Sequence, residues 1–398
     1  MGTSLNKNLE QRYPTVWDLK KKARKRLPQF SWAYLETGTG DEQCLIRNRE
    51  RMANITLIPR FLKGELKPDL TTVLFGQEYA SPFGMAPVGL TGLVWPNTDR
   101  ILALTAKEYK LPFCLSAMGS DTPETIGPLV GDMGWFQLYP PRNKEIRDDL
   151  LKRVKASGFK TLVVTADAPV LSRRERMLRA GLKMPPAITP KFVFQLLTHP
   201  CWALATLLAG VPNLKTMVKY AGTTNMERLS DFVNQNICGT LSWEYLQEVR
   251  DQWDGPLVLK GILHPDDVNE AIQTGVDGVI VSNHGARQFN GAPAAIDVLP
   301  FIADRFRGKT VILFDSGIYS GLDILRAIAL GADFVFLGRA FMYAVAALGE
   351  MGGDHVTDIL IEDLKNNMVQ LGTSTIEDVK QRKIESRHEP FEQSDQWR

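Results

Sequence analysis

The sequence is sparing with cysteine and histidine and carries almost no net charge. Only four cysteines occur in 398 residues, Cys44, Cys114, Cys201 and Cys238. They form no CxxC pair, and no histidine stands at zinc-finger spacing from them. Neither a disulfide framework nor a metal site is indicated, and a reducing compartment is the ordinary setting for such cysteine usage. Lysine and arginine total 47 against 45 acids, a formal net charge of +2. That balance gives no electrostatic reason to expect nucleic acid as a partner. Residues 1–14 are polar and lack the apolar core of a secretory signal. Met1-Gly2 opens like a myristoylation signal, but Asn6 stands where Ser or Thr is required. One local exception to the neutral balance is the basic run from Lys20 to Arg26. A solvated helix face is the expected reading, with anionic lipid as the functional alternative and a nuclear address as a third.

What is present is an alternating pattern. Hydrophobic residues make up 44% and charged residues 23%, ordinary values for a soluble globular chain. Eight short apolar runs stand out, most of them ending at or just before a Gly, Ser, Asn or Asp. They are Phe83–Val88, Phe113–Met118, Trp135–Tyr139, Thr161–Asp167, Leu257–Lys260, Gly278–Ser282, Val311–Asp315 and Phe334–Leu337. Most are continuous rather than alternating, as parallel strands buried on both faces should be. Helical patterns lie between them over Asp99–Tyr109, Lys144–Ala156, Trp243–Trp253, Pro265–Thr274, Gly321–Leu330 and Ala340–Leu348. Eight such units predict an α/β fold, a closed (β/α)8 TIM barrel. No GxGxxG follows the first strand, which argues against an open doubly wound sheet. Residues 1–80 are expected to form an N-terminal helical cap and hairpin within the same domain. The barrel would span 81–350, with a long insertion after strand four over 175–240. A C-terminal helical segment and tail would occupy 351–398.

In such a barrel the active site lies at the C-terminal strand ends. Those ends carry Pro87-Val88-Gly89, Ser116, Gln137, Tyr139, Thr165, Asp167, Lys260, Ser282-Asn283-His284, Asp315-Ser316-Gly317 and Gly338-Arg339. Caps and turns account for some of these polar groups singly. They do not readily account for a lysine, a histidine, an aspartate and several arginines at one mouth. His284 is the sharpest candidate among five histidines. The loops after strands seven and eight bring glycines and Arg339 together, which suits a phosphate-bearing cofactor.

These residues resemble the FMN-dependent 2-hydroxy-acid oxidising enzymes. That family includes glycolate oxidase and bacterial membrane-associated lactate and mandelate dehydrogenases. The resemblance runs through nearly the whole chain. Its most specific segment is Ser282-Asn283-His284-Gly285-Ala286-Arg287-Gln288, supported by Trp135-Phe136-Gln137-Leu138-Tyr139, Thr165-Ala166-Asp167-Ala168-Pro169 and Leu259-Lys260-Gly261. It implies FMN as cofactor and a catalytic set of His284, Asp167, Tyr139, Lys260 and Arg287. His284 would be the base and Asp167 its partner. Arg174 and Arg287 would hold the substrate carboxylate, and Tyr34 and Tyr139 its other oxygens. Lys260 would face the flavin. Ala86, Pro87, Val88, Ser116, Gln137, Thr165 and Ser282 would line the flavin ring and ribityl chain. Asp315, Gly317, Gly338 and Arg339 would hold the ribityl and phosphate end. Tyr319 stands where many members have an arginine, Ser316 replaces a common glycine, and Met118 replaces a tryptophan of glycolate oxidase-like members. No haem-binding domain is expected before the barrel, and a homo-oligomer, a tetramer, is implied by the resemblance.

The insertion contains a stretch without charge, residues 192–214, bounded by Lys191 and Lys215, with Lys183 and Lys219 farther out. His199-Pro200, Gly210 and Pro212 interrupt it, so a continuous span is not expected. An interfacial segment fits better, with Trp202 near the headgroups and the lysines on phosphates. The alternative is a lid helix packed on the barrel. The leading expectation is therefore a cytoplasmic enzyme, peripheral on the cytoplasmic face of the inner membrane, passing electrons to quinone. A soluble oxidase that reduces O2 is the rival, and a non-catalytic flavin-binding protein a remote third.

Overall fold

The computed structural model describes residues 7–170, 172–182, 189–237, 241–382 and 384–386. Lys183, Cys238 and the end of the tail lie outside them. The eight expected strands all form: β1 (Phe83–Met85), β2 (Phe113–Ser116), β3 (Gly134–Leu138), β4 (Thr161–Thr165), β5 (Leu257–Ile262), β6 (Gly278–Val281), β7 (Val311–Phe314) and β8 (Phe334–Leu337). Each pairs in parallel with its neighbour in sequence, and β8 returns to β1, so the sheet closes into a barrel. Most of these strands are buried at every position, which explains the unbroken apolar runs. β1, β2, β3, β4, β6 and β7 stop one to three residues before the expected ends. Those last residues turn out of the sheet and become the walls of the site.

Two barrel helices were not expected from the pattern, Pro123–Val130 and Ala295–Phe306. Each holds an internal proline, Pro128 or Pro300, which reads as a helix breaker in sequence. The other helix starts follow local chemistry. Ser242 accepts from the Tyr245 amide at 3.2 Å, and His264 Nδ1 accepts from the Asp266 amide at 3.1 Å. The Thr72–Leu74 and Gln77–Tyr79 hairpin lies against the end of the barrel opposite the site. The Trp135 indole donates to the Tyr79 hydroxyl at 2.9 Å, and the Phe75 ring packs tilted against the same indole. A short antiparallel pairing joins Ile55–Leu57, before the barrel, to Ile384–Ser386, after it.

The basic run is not simply a solvated face. Lys20 pairs with Glu36. Arg26 donates to the Ala347 carbonyl at 2.9 Å and stacks 3.7 Å from the Trp95 ring centroid, which satisfies the C-terminal end of the Arg339–Leu348 helix. Lys21, Lys22 and Lys25 remain exposed.

The uncharged stretch forms two helices, Pro190–Thr198 and Pro200–Ala209, bent by 100° at His199. Among the described residues no single helix is long and apolar enough to cross a membrane. The pair docks on the Gln29–Glu36 helix: Gln195 accepts from the Phe30 amide at 3.3 Å, and Phe192 and Trp202 pack on the Phe30 ring. This corrects the expectation for Trp202. Its indole is buried and donates to the Val94 carbonyl at 3.1 Å, because a partner on the barrel satisfies its N–H. The outer face instead exposes Phe194, Leu197, Leu204, Leu207, Leu208 and Val211. Two of the expected phosphate-facing lysines are also engaged, Lys215 with Asp121 at 3.2 Å and Lys219 with Asp149 at 2.7 Å.

Candidate active site

A cavity of about 260 Å³ opens at the C-terminal strand ends. Every residue expected at the site lines it except Asp167, Ser116 and Ser282. Those three stand one hydrogen bond behind. Asp167 Oδ1 lies 2.8 Å from His284 Nδ1, Ser116 donates to Gln137 Oε1 at 2.7 Å, and Lys260 Nζ donates to Ser282 Oγ at 2.9 Å.

His284 follows β6 in a loop that the chain holds in unusual backbone conformations. His284, Ala286 and Ser316 have φ of 58°, 64° and 89°, values that cost free energy for residues with a side chain. The loop is held by two side chains. Asn283 exchanges amide hydrogen bonds with Asn48 at 2.9 and 2.7 Å. Ser316 Oγ accepts from the amides of Asn283 and Gly285 at 3.3 and 3.0 Å and donates to Asp315 at 2.9 Å. The serine at the expected glycine position thus ties the loop after β7 to the loop carrying His284.

The electrostatics around His284 favour its neutral form. Because Nδ1 faces Asp167, Nε2 faces Tyr139, whose hydroxyl is 3.3 Å away. Burial pushes the His284 pKa below its ordinary value; Asp167 opposes this, while Lys260 and Arg174 add to it. Burial alone would raise the Asp167 carboxyl, but His284 and Lys260 outweigh it and hold it below the usual carboxylate range. The pair is therefore a neutral imidazole beside a carboxylate, ready to accept a proton on Nε2. Gly261 makes this possible. It has φ of 101°, and a Cβ there would sit 2.4 Å from Asp167 Cγ.

The rest of the cavity is electropositive. Arg174, Lys260, Arg287 and Arg339 line it with Asp315, and Asp167 stands behind, giving four cations against two carboxylates. Lys260 pairs with Asp315 at 2.9 Å. Burial would lower the Lys260 pKa, but Asp315 and Asp167 raise it above the ordinary value, so it stays charged. Arg287 Nη1 donates to the Tyr34 carbonyl at 2.9 Å. All three Arg339 nitrogens reach carbonyls: those of Leu35, Gly285 and Thr37, at 3.3, 2.9 and 3.0 Å. The Arg339–Leu348 helix starts at Gly338 without a side-chain cap, leaving its first amides available to an anion. Tyr319 lines the cavity here, stacked on Tyr343 and packed tilted against Trp17.

Val233 and Ile237 also line the cavity, and no local motif announces them. They come from the Met226–Asn236 helix of the insertion and the residue after it. The one available signal was the apolar spacing of Leu229, Val233 and Ile237, which is helical.

The family model for FMN-dependent dehydrogenase matches residues 23–386. The L-lactate dehydrogenase of Pseudomonas aeruginosa (strain PAO1) is 39% identical over 364 residues, covering 91% of this chain and 95% of that protein. The L-lactate dehydrogenase of Vibrio parahaemolyticus is 38% identical, covering 91% and 96%. Among solved structures, the monotopic membrane protein (S)-mandelate dehydrogenase aligns with a TM-score of 0.89 at 33% identity, covering 94% of this chain and 99% of that one. A mandelate oxidase aligns at 0.79 with 30% identity, covering 94% and 99%.

Proposed function

The chain belongs to the FMN-dependent dehydrogenase family, and from that premise we propose that it oxidises an L-2-hydroxy acid to the 2-oxo acid at His284 and passes the electrons to a membrane quinone. It is an oxidoreductase acting on CH–OH, with FMN as its cofactor. The residues present fit that group. Gln137 and the Thr165 hydroxyl, linked at 2.8 Å, and the buried cation of Lys260 suit a ring with alternating carbonyl and N–H groups. Gly317, Gly338, Arg339 and the uncapped helix start suit a phosphate. Bound there, FMN supplies the two-electron acceptor.

The observation that carries the reading is the 2.8 Å contact of His284 Nδ1 with Asp167, which turns Nε2 to the cavity. Arg174 and Arg287 take the substrate carboxylate. Tyr139 holds the substrate oxygen beside Nε2, and Nε2 receives the proton that the substrate releases. Asp167 stabilises the resulting imidazolium. Lys260 stabilises negative charge that develops on its side of the cavity. The outer face of the bent helix pair supports attachment to a bilayer, because side chains as apolar as Leu207 and Leu208 are 78% and 79% exposed there.

The test follows flavin colour and location together. Anaerobic addition of an L-2-hydroxy acid should bleach the bound flavin, and a vesicle-borne quinone should restore the colour faster than air does. Replacing Leu204, Leu207 and Leu208 with serine should move the protein from the membrane to the soluble fraction and slow reoxidation by quinone. Faster return in air, with the unmodified protein wholly soluble in lysate, makes it an oxidase instead.

A further inference from the structure

Arg174 and Arg287 reach the cavity from different segments. Arg174 follows β4 in a stretch that leads into the Glu175–Arg179 helix. None of the five residues of that helix is buried, so apolar packing of the helix does not fix its place. Arg287 lies in the loop after β6. Burial, and then the nearby charges of Arg174 and Arg339, hold the Arg287 guanidinium well below its ordinary pKa. Like charges gathered this closely repel each other, and other contacts have to hold them on one cavity before an anion binds.

Those contacts come from the turn at residues 37–42, between the Gln29–Glu36 and Gln43–Ala53 helices. On one side the turn holds the Arg287 loop. The Thr39 amide donates to the Ala286 carbonyl at 3.0 Å, and Arg287 Nη1 donates to the Thr37 carbonyl at 3.3 Å. On the other side it holds both chain neighbours of Arg174. Thr39 Oγ1 donates to the Arg173 carbonyl at 2.6 Å, and the Gly40 amide donates to Glu175 Oε2 at 2.9 Å. Glu42 closes the turn: Oε1 accepts from the Gly38 amide at 3.1 Å, and Oε2 pairs with Arg176. Glu42 itself has φ of 67°. Glycine adopts that conformation without the strain, but it would lose both contacts of the carboxylate.

We infer that Glu42 and Thr39 are positioning residues for substrate binding, which set Arg174 opposite Arg287 so that both guanidinium groups meet one carboxylate. This rests on the reading of the site as a 2-hydroxy-acid centre. Neither residue lines the cavity, so each acts on the substrate through Arg174. The carboxylate is held alike before and during proton transfer, so misplacing Arg174 raises KM more than it lowers kcat.

The experiment measures KM and kcat of the FMN-loaded protein for L-lactate and L-mandelate with an artificial dye acceptor. Oxalate titrated against the oxidised flavin, followed by the shift in flavin absorbance, reads carboxylate binding without turnover. Glu42→Gln keeps the shape and removes the charge, and should raise KM and the oxalate Kd about tenfold. Thr39→Val keeps the volume and the backbone amide that holds the Arg287 loop, and should raise both about threefold. In each variant kcat should change less than KM, and FMN content should stay the same. Both effects should vanish in an Arg174→Met background, because the group being positioned is gone. A merely structural role would lower thermal stability and leave the effects undiminished in that background. If Glu42→Gln fails to fold, Thr39→Val alone and with Arg174→Met decides the question. Unchanged KM and oxalate Kd in the single variants, or effects that persist in Arg174→Met, overturn the inference and leave the site's function intact. Turnover of neither acid by the unmodified protein overturns the functional reading itself, and this inference with it.

Discussion

Asp167→Asn isolates the charge on which the proposed base depends. The amide keeps the size and shape of the carboxylate, so what changes is the charge 2.8 Å from His284 Nδ1. Opposite unit charges about 4 Å apart attract by about 4 kcal/mol at an effective dielectric of about 20. That attraction is absent while His284 is neutral and develops as Nε2 takes the proton, so it acts on the barrier more than on substrate binding. With the charge largely developed in the transition state, the rate constant for flavin reduction should fall by roughly 10²- to 10³-fold. The pH profile should move as well. Burial, Lys260 and Arg174 push the His284 pKa down, and Asp167 pushes it up. Removing the opposing charge lowers that pKa further. The neutral imidazole is the working form, so reduction is lost as pH falls through the His284 pKa, and the acid limb of the variant should lie at lower pH than that of the unmodified protein. Anaerobic stopped-flow absorbance of the oxidised flavin across a pH series gives both quantities. A rate close to the original, or an acid limb that stays in place or moves to higher pH, refutes the assignment of Asp167 as the partner of the base.

Two further substitutions probe the scaffold around that pair. Gly261→Ala places a Cβ 2.4 Å from Asp167 Cγ at a φ of 101°; it should cost about 1–3 kcal/mol of stability and slow flavin reduction as Asp167 is displaced, which urea unfolding and stopped-flow reduction measure in parallel. Arg287→Lys keeps the charge but loses the planar fork, so substrate KM should rise about tenfold or more and kcat should also fall; steady-state kinetics with an artificial dye acceptor would detect an unchanged KM, and that result removes Arg287 from carboxylate binding.

The barrel was legible because strands buried on both faces leave continuous apolar runs, and the site was legible because the barrel fixes which strand ends face it. His284, Lys260 and Asp315 are read from position alone once the strands are counted. The helices with Pro128 and Pro300 were hidden, since their local chemistry argues against helix while burial in the barrel wall enforces it. Trp202 was misread for the complementary reason. An aromatic residue in an uncharged stretch suggests an interface, and only the folded chain shows the Val94 carbonyl waiting for its indole. Val233 and Ile237 reach the cavity through a bridge to Pro141 nearly a hundred residues earlier in the chain, and no local pattern encodes such a contact. The roles of Asn48 and Ser316 in fixing the His284 loop are equally non-local, because each acts through a partner on a different segment.

The measurement that bears most directly on the central claim is flavin reduction in His284→Gln. Glutamine can still occupy the space beside Asp167 and Tyr139, so the protein should purify yellow, with FMN content equal to that of the unmodified protein. Mixed anaerobically with an L-2-hydroxy acid that bleaches the unmodified protein, it should remain oxidised, with a rate constant lower by several orders of magnitude, because no group remains at that position to accept the proton. Bleaching of His284→Gln at a rate near that of the unmodified protein would contradict the account and place the base elsewhere.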